Sequence, residues 1–136
     1  MSTMAIAELK DMTTVIADDD DITRGLLRGV LRTIGLHVVD EAADGARALA
    51  AFEKHNPQIV CLDIEMPNLD GLAVLAKIRE SNAQAVVLMI SSGATADNVK
   101  QSLAARADGF IAKPFSAGKI ARELERALAR RAKGDK

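Results

Sequence analysis

Short apolar runs alternate along this chain with longer stretches whose apolar positions recur every three or four residues. Runs at 14–17, 37–40, 59–62, 86–90 and 109–112 are brief and largely β-branched, which predicts buried strands. Ile22, Leu26, Leu27, Val30, Leu31 and Ile34 fall on one helical stripe, and Gly35 closes it as a C-terminal cap. Ala48, Leu49 and Phe52 mark a second helix, opened by Asp44-Gly45. Leu72, Leu75 and Ile78 mark a third, with Asp70 as its cap. Val99 and Leu103 mark an alanine-rich fourth; Ile120, Leu124, Ala127 and Leu128 mark a fifth behind Ser116. Five strand–helix units with apolar strands imply a parallel sheet covered on both faces, the doubly wound α/β class. The predicted organisation is one domain over 12–131, with a loosely held extension at 1–11 and a tail at 132–136.

Parallel strands bring their C-terminal ends to one edge, so chemistry should collect there. Directly behind the first run stand four consecutive aspartates, Asp18, Asp19, Asp20 and Asp21. Clustered carboxylates resist ionising beside one another. A hard divalent cation, usually Mg²⁺, is the commonest reason to keep them together. A solvated acidic turn capping the next helix explains the four aspartates equally well. The other strand ends add Asp63, then Ser91 and Ser92, then Lys113-Pro114. Asp18, Asp19 and Asp63 could hold Mg²⁺. Asp63 could attack phosphorus and form an aspartyl phosphate. Ser91 could donate to one phosphoryl oxygen and Lys113 could pair with another. Phosphoryl transfer needs in-line positioning and neutralised charge, and this set supplies both.

In order and spacing, four segments resemble the motifs of response-regulator receiver domains, the phospho-acceptor modules of two-component signalling. They are Val15-Ile16-Ala17-Asp18-Asp19 with Arg24 downstream, Leu62-Asp63-Ile64-Glu65-Met66-Pro67-Asn68-Leu69-Asp70-Gly71, Met89-Ile90-Ser91-Ser92-Gly93, and Phe110-Ile111-Ala112-Lys113-Pro114-Phe115. The resemblance implies a flavodoxin-like (βα)5 fold with strand order 2-1-3-4-5. Helices 1 and 5 would lie on one face and 2, 3 and 4 on the other, with a Lys-Pro bond that is typically cis. It implies Asp63 as phospho-acceptor. Mg²⁺ would be held by Asp18, Asp19, Asp63 and the backbone carbonyl of Glu65. Ser91 would follow the phosphoryl group, Lys113 would pair with it, and Phe110 would turn inward as the aromatic switch. A histidine kinase or histidine phosphotransfer protein would be the donor. A downstream protein target would read the face of helix 4, strand 5 and helix 5, near Asn98, Lys119, Arg122 and Arg126. A monomer or a phosphorylation-dependent dimer is implied. Glu65 and Gly93 stand at the two variable positions that tune phosphoryl-group lifetime in the family. Ser92 departs from the usual Ala or Gly, and Phe110 from the more frequent Tyr.

Composition narrows the alternatives. At 136 residues, 49% hydrophobic and 27% charged, the chain fits one soluble domain. Net charge −1 and 2% aromatic content argue against nucleic-acid or anionic-membrane binding. Cys61, the lone cysteine, reads as a core residue in a reducing compartment. No apolar stretch approaches the ~20 residues of a membrane span, and the start at 1–8 lacks a secretion signal, so a cytoplasmic protein is expected. Asp20 and Asp21 suit the first turn of the first helix. Arg24 reads as a surface cation of the first helix near the acidic cluster, and His37 and His55 as surface residues at element ends, with no pattern suggesting metal or phosphotransfer. A signalling module is expected rather than an enzyme acting on a separate substrate. Two rivals compete. A haloacid-dehalogenase-type phosphatase would use Asp18 as nucleophile, but it leaves Asp63 unexplained and lacks an acidic pair after Lys113. A non-phosphorylated docking module would be expected to have lost one of these residues. No Gly-x-x-x-x-Gly-Lys-Ser/Thr loop is present, which excludes a GTPase.

Overall fold

The protein was analysed as a computed structural model, which describes residues 9–82 and 84–134. Ten elements alternate: β1 (Thr13–Ala17), α1 (Asp21–Ile34), β2 (His37–Ala42), α2 (Gly45–His55), β3 (Ile59–Leu62), α3 (Gly71–Ser81), β4 (Val86–Ser91), α4 (Ala96–Ala104), β5 (Gly109–Ala112) and α5 (Ala117–Gly134). The strands form one parallel sheet of order β2-β1-β3-β4-β5. Order and class match the sequence reading. Strands β3 and β4 are buried along their whole length, as expected where helices cover both faces.

Each helix starts at a side-chain oxygen that accepts a backbone N–H from its first turn. The caps are Asp20 for α1, Asp44 for α2, Asp70 for α3, Thr95 for α4 and Ser116 for α5. Gly35 ends α1 at φ 110°, in left-handed backbone where a Cβ would be strained. One apolar layer joins Ala48 and Phe52 of α2 to Val74, Leu75 and Ile78 of α3 beneath the sheet. The other joins Leu27 and Leu31 of α1 to Ile120, Leu124 and Ala127 of α5. Cys61 is buried in this second layer, and burial pushes its thiol up to about 12.

Several expectations change. Strand β2 runs two residues beyond Asp40, because Glu41 and Ala42 still pair with Ile16 and Ala17 although Glu41 breaks the apolar pattern. Leu9, placed in a loose extension, is fully buried against the α1/α5 layer; residues 1–8 lie outside the described residues. Ile22 and Leu26 belong to the predicted inward stripe yet are 76% and 62% exposed. Leu27 and Leu31 form the buried line of α1, and Ile22 and Leu26, one position round the helix, lie on its flank. Leu103 is likewise 55% exposed, and within α4 only Ser102 is buried. Helix α4 therefore has little apolar anchorage, unlike its four counterparts.

Candidate functional site

Register decides which residues meet. Ala17 of β1 pairs with Leu62 of β3, so the next residues, Asp18 and Asp63, leave the sheet side by side. Ser91 pairs with Ala112, and the Lys113 N–H donates to Ser91 O at 3.0 Å, which places Lys113 at the same edge. The Lys113–Pro114 bond is cis. Gly71 opens α3 directly against the loop after β3, and a Cβ there would collide with the Asp63 carbonyl.

These elements bring four charged side chains together. Lys113 Nζ donates to Asp18 Oδ2 at 2.7 Å and to Asp63 Oδ2 at 3.0 Å. Carboxylate oxygens of Asp18, Asp19 and Asp63 all lie within 4.8 Å of one another. Asp18 and Asp63 are buried, and Asp19 is exposed. Burial opposes charge on Lys113, but the hydrogen bonds to Asp18 and Asp63 outweigh it and hold its pKa above the ordinary lysine value. Three carboxylates against one ammonium leave a surplus of two negative charges. Close-set oxygen donors with that surplus fit a hard divalent cation.

Ser91 is fully buried at the same edge, its Oγ accepting the Gly93 N–H at 3.0 Å. It makes no hydrogen bond to Asp63. Glu65 lies two residues past Asp63, with its N–H 3.4 Å from Asp63 Oδ1 and its side chain exposed. Phe110 is half-buried and lines a groove of about 240 Å³ with Lys119, Arg122 and Glu123. Asp20 caps α1, and its hydrogen bonds from Thr23 lower its pKa, so it is committed to the helix. Asp21 is held by Arg24 at 2.6 Å.

Three contacts went beyond sequence reasoning. Arg24, expected near the acidic cluster, donates to the Asp18 carbonyl at 2.7 Å and reaches Glu41 at 3.3 Å, bracing the acidic loop. Its place four residues past the Asp20 cap, about one helical turn, was the available signal. His55 gains a partner that the sequence did not suggest, its Nε2 lying 3.1 Å from Asp40 Oδ2. Asn98, expected on the partner surface, turns its amide back onto the Gly93 carbonyl at 2.8 Å.

The family model for the response regulator receiver domain matches residues 14–125. The chain belongs to the response-regulator receiver family. Among curated relatives, the chemotaxis protein CheY of Bacillus subtilis is 34% identical over 114 residues, covering 84% of this chain and 95% of the relative. CheY of Halobacterium salinarum is 35% identical over 101 residues, 74% of this chain and 83% of its own length. A chain of the CheX–CheY–BeF3–Mg²⁺ complex from Borrelia burgdorferi superposes with TM-score 0.83 at 33% identity, covering 88% of this chain and 90% of that one. This chain is thus a CheY-like signalling receiver, a two-component module rather than an enzyme with a separate substrate.

Proposed function

We propose that this receiver accepts a phosphoryl group on Asp63 in a Mg²⁺-dependent reaction and passes the signal on by protein contact. The observation that carries the reading is the Lys113 ammonium bridging Asp18 and Asp63 while Asp19 stands within reach of both. Asp18, Asp19, Asp63 and the Glu65 carbonyl would hold Mg²⁺, which would neutralise charge on the transferred group. An Asp63 carboxylate oxygen attacks phosphorus as the phosphorus–nitrogen bond to the donor imidazole breaks. The bonding pair stays on that nitrogen, which takes up a proton. Lys113 pairs with one phosphoryl oxygen and the Ser91 hydroxyl donates to another.

The donor is a histidine kinase or histidine phosphotransfer protein. Leu26 of α1 lines a depression with Lys113, Pro114 and Phe115, and Ile22, one helical turn before it, is exposed. A donor helix laid across this apolar apron would present its phosphohistidine to the adjoining acidic edge. Output runs through the face of α4, β5 and α5, where Phe110, Lys119 and Arg122 frame one groove and α4 is weakly anchored. Ser91 and Phe110 are the residues that shift between the two states, biasing a surface read by a downstream protein. The setting is cytoplasmic; among the described residues, no helix is long and apolar enough to cross a membrane.

A phosphoramidate label tests the reading. Wild-type protein should be labelled in Mg²⁺ and remain unlabelled with chelator, and Asp63→Asn should abolish labelling. An Asp63→Asn protein that still takes up phosphate on Asp18 would establish the phosphatase chemistry instead.

A further inference from the structure

Between β4 and α4 the chain passes through Gly93, and both polar groups of that residue are held by side chains. Its N–H donates to Ser91 Oγ at 3.0 Å, and its carbonyl accepts from Asn98 Nδ2 at 2.8 Å. A Cβ at 93 would lie 3.2 Å from Asn98 Nδ2, 3.3 Å from Glu65 Oε2 and 3.5 Å from Ser91 Oγ. Three polar side chains from three segments therefore converge on the side where glycine carries only hydrogen. Asn98 itself is fixed. Its N–H is capped by Thr95 Oγ1 at 3.1 Å, and its carbonyl accepts from the buried Ser102 hydroxyl at 2.8 Å.

The consequence falls on Ser91. With its oxygen accepting from Gly93, the hydroxyl proton points away from that N–H, and among the described residues it donates to no acceptor. A buried donor held ready stabilises charge that arrives later without reorganising. We propose that Asn98 is a positioning residue for phosphoryl transfer, fixing Gly93 and through it the Ser91 hydroxyl. The proposal rests on Asp63 being the acceptor. It also couples the first turn of α4 to the site, because Asn98 belongs to both.

The test is beryllofluoride affinity at saturating Mg²⁺, measured by calorimetry beside the affinity for Mg²⁺ alone. Asn98→Ala should weaken beryllofluoride binding about threefold to tenfold, the size of one neutral hydrogen bond. Affinity for Mg²⁺ should stay unchanged. In a Ser91→Ala background, Asn98→Ala should have no further effect, since the two act as one unit. Gln101→Ala, which removes the exposed Asp97–Gln101 hydrogen bond of the same helix without touching Asn98 or Gly93, should leave beryllofluoride affinity near wild type. An equal loss with Gln101→Ala, an equal loss in the Ser91→Ala background, or a parallel fall in Mg²⁺ affinity would each overturn the proposal. A wild-type protein that does not bind beryllofluoride at all would overturn the acceptor reading and the proposal together.

Discussion

The two ends of β5 carry opposite electrostatic designs. Below its first residue, the Asp108 carboxylate accepts from Arg79 at 2.9 Å, from Arg131 at 3.0 Å and from the Val87 N–H at 2.8 Å. The same guanidiniums satisfy the Ala85 carbonyl, Arg79 also reaches the Arg106 carbonyl, and Arg130 donates to the Asp108 carbonyl. Beyond its last residue, one ammonium faces three carboxylates. The lower cluster has more guanidinium than carboxylate, with backbone carbonyls accepting the remaining donors, and it staples α3, β4, β5 and α5. The upper one is left short of positive charge, and the edge beside it is tied to the poorly anchored α4. Stability is concentrated at one end of the strand, and capacity for a ligand at the other.

The sharpest break is Asp108→Ala. It takes the paired carboxylate from the Arg79 guanidinium, which is 4% exposed and whose pKa burial already lowers, leaving carbonyl acceptors beside a buried charge. The expected loss is about 3–5 kcal/mol, read from the urea midpoint. Next comes metal. Mg²⁺ at roughly 100 times its dissociation constant should stabilise the wild type by about 2.7 kcal/mol and stabilise Asp19→Asn far less. Without divalent cation the same Asp19→Asn change should stabilise by about 0.5–1 kcal/mol, because it relieves carboxylate repulsion. Removing an aspartate thus has opposite signs at the two ends.

The smallest effect is alkaline. Lys113 has its pKa raised in the fold, so its contribution is complete below the ordinary lysine value near 10.4 and lost as pH climbs through the raised one. The arginine cluster does not titrate there. In a Cys61→Ala background, which removes the buried thiol that titrates in the same window, the loss should be about 1 kcal/mol or less. Lys113→Arg should flatten it.

The sheet and the site were legible because each left a mark with short-range causes. Apolar runs gave the strands, and their C-terminal ends gave Asp18, Asp63, Ser91 and Lys113. Side-chain direction was less legible. A stripe records periodicity but not how wide a face the fold covers, so Ile22 and Leu26 fall on the apolar stripe yet face out, beside the buried Leu27. Long-range polar pairs leave no periodic trace. Arg79, Asp108 and Arg131 are distant in sequence, and Asn98 reads as an ordinary helical residue until the fold brings Gly93 back to it.

Reductive trapping tests the central claim most directly. After incubation with a phosphodonor and Mg²⁺, borohydride converts an aspartyl phosphate to homoserine, which peptide sequencing by mass spectrometry locates. Homoserine should appear at position 63 and nowhere else. Homoserine at position 18, or an unmodified Asp63 in phosphate-labelled protein, would contradict the assignment.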